Sequence, residues 1–157
     1  MPEDEAVGQR VVVRRAFATS RERVFHSWTD PDQLRRWWGP GRFTCPEAVV
    51  DLRPGGSYRF VMQPPGDAPT MSVTGTYREV DPPRLLVYTW RWDSGPAASA
   101  DESMVTVRFT DLGDGRTEVT VTHDRFAPGQ DSSPYRSGWE ESLEKLADVV
   151  EGRAVDS

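Results

Sequence analysis

A chain of 157 residues that is 36% hydrophobic and 28% charged can bury a core without staples, since a domain of this size hides roughly 68–70% of the surface its unfolded chain exposes. One cysteine excludes an internal disulfide, and two histidines beside one thiol cannot assemble a zinc or iron–sulfur site, so neither a metal nor another cofactor is expected. A net charge of −6 argues against a nucleic-acid groove, which needs clustered positive charge.

The chain opens MPEDEAVGQR, acidic and without an apolar signal region. No later stretch approaches the roughly 18 apolar residues that span a bilayer, so a soluble, cytoplasmic protein without membrane contact is expected. Lys145 is the only lysine, and Ile and Asn are absent. Those residues have AT-rich codons, which points to a GC-rich, bacterial genome, and the lack of Asn removes N-glycosylation. Residues 1–9 and 153–157 read as flexible tails around a single domain at 10–152.

In chain order, RVVVRRAF (Arg10 to Phe17) is rich in β-branched residues and predicts a strand. TSRERVFHSW follows, with Thr19 as N-cap and Glu22 three places on as a capping box, then Val24, Phe25 and Trp28 as the apolar side of a short helix. In DPDQLRRWWGPG, Asp30 caps, Pro31 takes the first helical position and Gly39-Pro40-Gly41 ends a second helix of about two turns. Leu34, Trp37 and Trp38 point inward from it.

From Thr44 the hydrophobic period becomes two. Six segments, CPEAVVDLR, SYRFVM, SVTGTYREV, RLLVYTWRW, ESMVTVRFTDL and RTEVTVTHDRF, are separated by turns at 54–56, 63–67, 81–83, 93–100 and 113–115. Connections this short hold no crossover helix, so the six strands form an antiparallel meander, and the first strand makes seven. SPYRSGWEESLEKLADVV then predicts a long helix, capped by Ser133 and opened by Pro134. Tyr135, Trp139, Leu143, Leu146 and Val150 form its apolar face, and Glu140, Glu141, Glu144, Lys145 and Asp148 a charged one. One amphipathic helix over one curved sheet is an α+β two-layer architecture.

The order strand, two short helices, six strands, long helix resembles the helix-grip fold of the START-like (SRPBCC) superfamily. RVFHSWTDPDQLRRWWGP, DLRPGGSYRFVM, GTYREVDPPRLLVYTW, VTVRFTDLGDGRTEVTVTHDRF and GWEESLEKL together are similar to the domain homologous to the activator of the 90-kDa heat-shock protein ATPase, over about Val11 to Glu151. The resemblance implies a seven-stranded curved sheet gripping the long helix, with a cavity between them closed by the two short helices. It also implies hydrophobic small-molecule ligands, lipid- or polyketide-like, for such a cavity. Some superfamily members catalyse cyclisation or dehydration, and eukaryotic family members include co-chaperone domains, which brings a chaperone partner and stress response into view. The resemblance fixes no oligomeric state.

Strand alternation places Tyr58, Phe60 and Met62 on one face with Val73, Gly75 and Tyr77, and Leu86, Tyr88, Trp90 and Trp92 on the inward face of the next strand. With Trp28, Trp37, Trp38, Tyr135 and Trp139 they either fill a core or line a cavity. The candidate ligand contacts are Trp28, Trp38, Tyr58, Phe60, Met62, Tyr77, Tyr88, Trp90, His123, Arg125, Tyr135 and Trp139. Trp38 adjoins a Gly-Pro-Gly break where a lid can hinge, and Gly138 removes bulk beside Trp139. His123 continues the inward face of Val119 and Val121, where an imidazole is either satisfied by neighbours or positioned as an acid/base group. Arg125 shares its parity and is placed either on a ligand carboxylate or in a loop-anchoring ion pair. Glu79 shares the parity of Tyr77, at a cavity rim or in a surface salt bridge. His26 is expected to be exposed.

No G-x-S-x-G elbow, P-loop or G-x-G-x-x-G occurs, and Cys45 has no histidine near it in sequence. The sequence therefore supports a hydrophobic small-molecule binder first. A cyclase- or dehydratase-like enzyme using His123, with Tyr58, Tyr77 or Tyr88 as donors, and a co-chaperone-like interaction domain are the alternatives.

Overall fold

The computed structural model describes residues 10–95, 98–127 and 132–152; the predicted tails at 1–9 and 153–157 lie outside the described residues. Strand β1 (Val11–Phe17) leads into helices α1 (Arg21–Thr29) and α2 (Pro31–Trp37). Strands β2 (Thr44–Val50), β3 (Ser57–Gln63), β4 (Met71–Asp81), β5 (Leu85–Ser94), β6 (Ser103–Gly113) and β7 (Arg116–Asp124) follow, and α3 (Ser133–Val150) closes the order. The sheet runs β1-β7-β6-β5-β4-β3-β2, antiparallel throughout. Since β1 and β2 are its two edges, the chain must cross from edge to edge between them, and α1 and α2 make that crossing.

Each helix end has a local cause. Ser20, not Thr19, caps α1: its Oγ accepts the Arg23 N–H at 3.2 Å. The Thr19 carbonyl instead accepts the Thr117 hydroxyl at 2.8 Å, which ties the loop to β7. Asp30 serves both helices, its N–H donating to the His26 carbonyl and its carboxylate accepting from Gln33 N–H. Pro31 then opens α2 as predicted, and Trp38 leaves it in an extended conformation. The cap position of α3 is Ser132, and Ser133 is already its first residue.

The inward parity of the strands holds over most of the sheet. Tyr58, Phe60, Met62, Val73, Tyr77, Leu86, Tyr88, Trp90, Val119, Val121 and His123 are all buried. Two irregularities bend β4 against β5, at Ser72/Val73 and at Tyr77/Glu79. Between them only glycine fits at position 75, because a Cβ there would lie 2.0 Å from the Thr89 carbonyl oxygen. That oxygen accepts the Tyr58 hydroxyl at 2.5 Å, and the Thr89 hydroxyl accepts the Thr76 N–H. The second irregularity also resets the alternation. Glu79 is exposed instead of facing the interior, and Val80 takes the core-facing place.

Candidate functional site

The apolar stripe of α3 is not uniformly large. Tyr135, Gly138, Trp139 and Ser142 follow one another at i, i+3, i+4 and i+7, so two small residues share a face with two rings. A Cβ added to Gly138 would meet nothing within 4 Å. Opposite this gap lies a cavity of about 380 Å³, a volume that suits a small molecule. Its walls are Pro134, Tyr135, Gly138, Trp139 and Ser142 of α3, Met62 of β3, Met71 of β4, Trp90 and Trp92 of β5, and Trp38, Gly39, Pro40 and Phe43 of the segment after α2.

Of the twelve predicted contacts, Trp38, Met62, Trp90, Tyr135 and Trp139 line this space. Phe60 forms the layer behind, its ring 4.9 Å from that of Trp38. Tyr58, Tyr77, Tyr88 and Trp28 do not line it but fill the fold farther along the strands. Ring centroids in that cluster are 5.2 Å apart for Tyr58 and Tyr88, 5.5 Å for Tyr58 and Tyr77, and Trp28 Nε1 donates to the Tyr88 hydroxyl at 3.3 Å. Alternation tells which face a side chain takes, not whether a helix fills the space above it. Burial raises the pKa of all three tyrosines, which keeps their phenols neutral. Phe43, Met71, Pro134 and Ser142 escaped the sequence reading; the i+7 spacing from Tyr135 was the available signal for Ser142.

Arg125 is exposed and does not reach the cavity. Strand β7 ends at Asp124, and Arg125 turns at φ 63°, so the alternation stops one residue earlier and Phe126 supplies the buried side chain.

His123 is fully buried, and both ring nitrogens are engaged. Nδ1 accepts the Trp139 indole N–H at 3.2 Å. An indole nitrogen can only donate, so Nδ1 carries no proton and Nε2–H donates to Ser103 Oγ, 2.7 Å away. The Ser103 hydroxyl in turn donates to the Trp90 carbonyl at 3.5 Å. Phe126 and Tyr135 flank the imidazole at 4.6 and 4.8 Å. Burial in this apolar setting pushes its pKa down to about 3. The neutral ring orients Trp139 and has no nitrogen left for a substrate, which supports positioning over proton transfer.

The rim is fastened by a residue the sequence placed on a solvated face. Lys145 is half-buried, and its Nζ donates to the carbonyls of Gly39 and Phe43 at 2.7 and 2.8 Å. Burial lowers its pKa. Gly39 and Gly41 adopt φ of 104° and 52°, which bends the segment back onto α3. Cys45 is also buried, and desolvation pushes its thiol up to about 11, so it is no thiolate nucleophile at neutral pH. Among the described residues no group of three His, Cys, Asp or Glu side chains converges, and no helix is long and apolar enough to cross a membrane.

Comparison with known proteins agrees with the fold. The AHSA1 protein of Silicibacter pomeroyi is 27% identical, with a TM-score of 0.78 over 91% of this chain and 98% of that one. The AHSA1-like protein of Aeromonas hydrophila is 25% identical, with a TM-score of 0.74 over 92% and 93% of the two chains. A protein of Chromobacterium violaceum, 24% identical over 91% and 98% of the chains, shares the fold at a TM-score of 0.79. No curated protein matches the chain. The family model described as "Activator of Hsp90 ATPase homolog 1-like protein" matches residues 18–151. That span takes in both short helices, β2 through β7 and the gripping helix, and the chain therefore belongs to this family, with the helix-grip architecture of the START-like superfamily.

Proposed function

We propose that the protein binds a hydrophobic, ring-bearing small molecule between α3 and strands β3 to β5. One observation carries the reading: a 380 Å³ space walled by aromatic rings and methionines, kept open by Gly138 and Ser142 on the helix above it. Rings and thioethers present apolar surface to a guest, and the worth of covering it scales with area, about 25 cal/mol per Å². The closed hydrogen bonding of His123 supports binding over acid–base catalysis. The large exposed apolar side chains among the described residues are Val49, Leu52 and Leu112, which offers little support for a chaperone-docking patch.

A panel of neutral aromatic and acyl compounds, followed by calorimetry and tryptophan fluorescence, tests the proposal. At least one should bind at micromolar concentration, and Gly138→Phe, which puts a ring into the open space, should weaken that binding at least about tenfold without unfolding the protein. Failure of the whole panel, or equal binding by Gly138→Phe, would reject this site.

A further inference from the structure

The six tryptophans divide by where their indole N–H groups go. Trp37 donates to the Ser27 carbonyl at 2.9 Å, Trp28 to the Tyr88 hydroxyl at 3.3 Å, Trp92 to the Tyr135 hydroxyl at 2.9 Å and Trp139 to His123 at 3.2 Å. Trp38 and Trp90 differ. Their Nε1 atoms are buried and have no hydrogen-bond partner among the described residues.

Both of these rings line the cavity, from different walls, with centroids 5.7 Å apart. The third buried side-chain nitrogen without a partner, Nε of Arg15, belongs to a residue that does not line it. A buried donor left unpaired is unfavourable enough that native structures hold few of them, and each calls for a cause. A fold that satisfies Trp37 in its deepest core, at 0% exposure, is not careless with indoles.

Neither hydroxyl of the surrounding wall, that of Ser142 or that of Tyr135, pairs with these two indoles. Met62 and Met71 offer thioethers, which accept weakly. The Tyr135 hydroxyl already accepts from Trp92. The lining also contains no Arg or Lys, and Lys145 nearby is committed to backbone carbonyls. An anion would therefore enter without a counter-charge, at a desolvation cost that indole N–H groups alone do not offset.

We infer that the guest is a neutral, ring-bearing carbonyl compound whose oxygen accepts the N–H of Trp38 or Trp90, reached by a small turn of the indole. This rests on the binding role proposed above and narrows the ligand class. Trp38 and Trp90 then read the guest's polar group, while Trp92 and Trp139, fixed by protein partners, supply shape.

Three probes of one skeleton test the inference: tetralin, 1-tetralone and 1,2,3,4-tetrahydro-1-naphthoate. Each is titrated into ¹⁵N-labelled wild-type protein, whose indole N–H signals are counted singly and assigned with Trp38→Phe and Trp90→Phe, or by through-space contacts if either variant fails to fold. The ketone should bind about tenfold tighter than the hydrocarbon, and the carboxylate weakest. The Trp38 or Trp90 indole proton should move downfield with the ketone and not with tetralin. Equal affinity for ketone and hydrocarbon, or shifts confined to other indoles, would overturn the inference and leave the binding role intact. Binding by none of the three would overturn both.

Discussion

At the scale of single residues, His123 shows how burial turns an ionisable group into a pH liability. Its pKa is about 3 in the folded protein against an ordinary 6.5, so as pH falls the unfolded chain takes up the proton first. Its contribution to stability is therefore complete above pH 6.5 and is lost progressively from 6.5 down to about 3, by up to about 1.4 kcal/mol per pH unit. His123→Gln keeps a donor and an acceptor but does not titrate. Denaturant titrations at pH 6.5 and 5.0 should show wild type losing about 1–2 kcal/mol more than the variant over that interval; parallel losses would mean that the imidazole is not kept neutral. Period-two alternation located His123 beneath the helix. It could not reveal Ser103 or the indole of Trp139 as its partners, because those meet only through strand register. The same alternation failed at Arg125, where a left-handed φ ends the pattern, and at Glu79, where a register shift resets it.

Among elements, the segment between α2 and β2 depends most on a single side chain. Two charge-assisted bonds from Lys145 hold its carbonyls against α3. Lys145→Met preserves most of the apolar stem and removes both bonds, so a stability loss of about 1–3 kcal/mol is expected. Backbone amides near residues 39–43 should gain more in exchange rate than those of β5 and β6, which follow only the global loss; unaltered exchange around the segment would exclude a fastening role. The order and type of every element were legible from periodicity and turn residues, and Asp30 with Pro31 marked one boundary correctly. Cap positions slipped by one where two cap-forming residues stand together, at Thr19-Ser20, where only the Ser20 hydroxyl reaches an amide, and at Ser132-Ser133, where the cap residue makes no side-chain cap bond. Nor did the sequence show that a lysine on a charged helix face folds back to meet carbonyls more than a hundred residues earlier.

For the molecule as a whole, a curved sheet and a helix with two small residues on its inner stripe leave space that neither element would leave alone. Residue types established the sheet, the helix and the richness in rings, but not the volume between them, which depends on where Gly138 and Ser142 fall along β3 to β5. Trp28, Trp37, Tyr58, Tyr77 and Tyr88 pack into the core away from the gap, and Trp38, Trp90, Trp92, Tyr135 and Trp139 surround it. A guest that binds only the folded state adds about 2.7 kcal/mol at a hundred times its Kd. For a domain of this length the melting temperature should then rise by roughly 5–10 °C in scanning calorimetry. A ligand that saturates the protein without raising it would be binding elsewhere or to the unfolded chain as well. Lys145, the sole lysine, gives the fold a last property. An acylating reagent finds one ε-amine in this chain, and that nucleophile is occupied whenever it holds the carbonyls of Gly39 and Phe43. The speed of its modification is thus a clock for how often that stretch of backbone lets go of the helix.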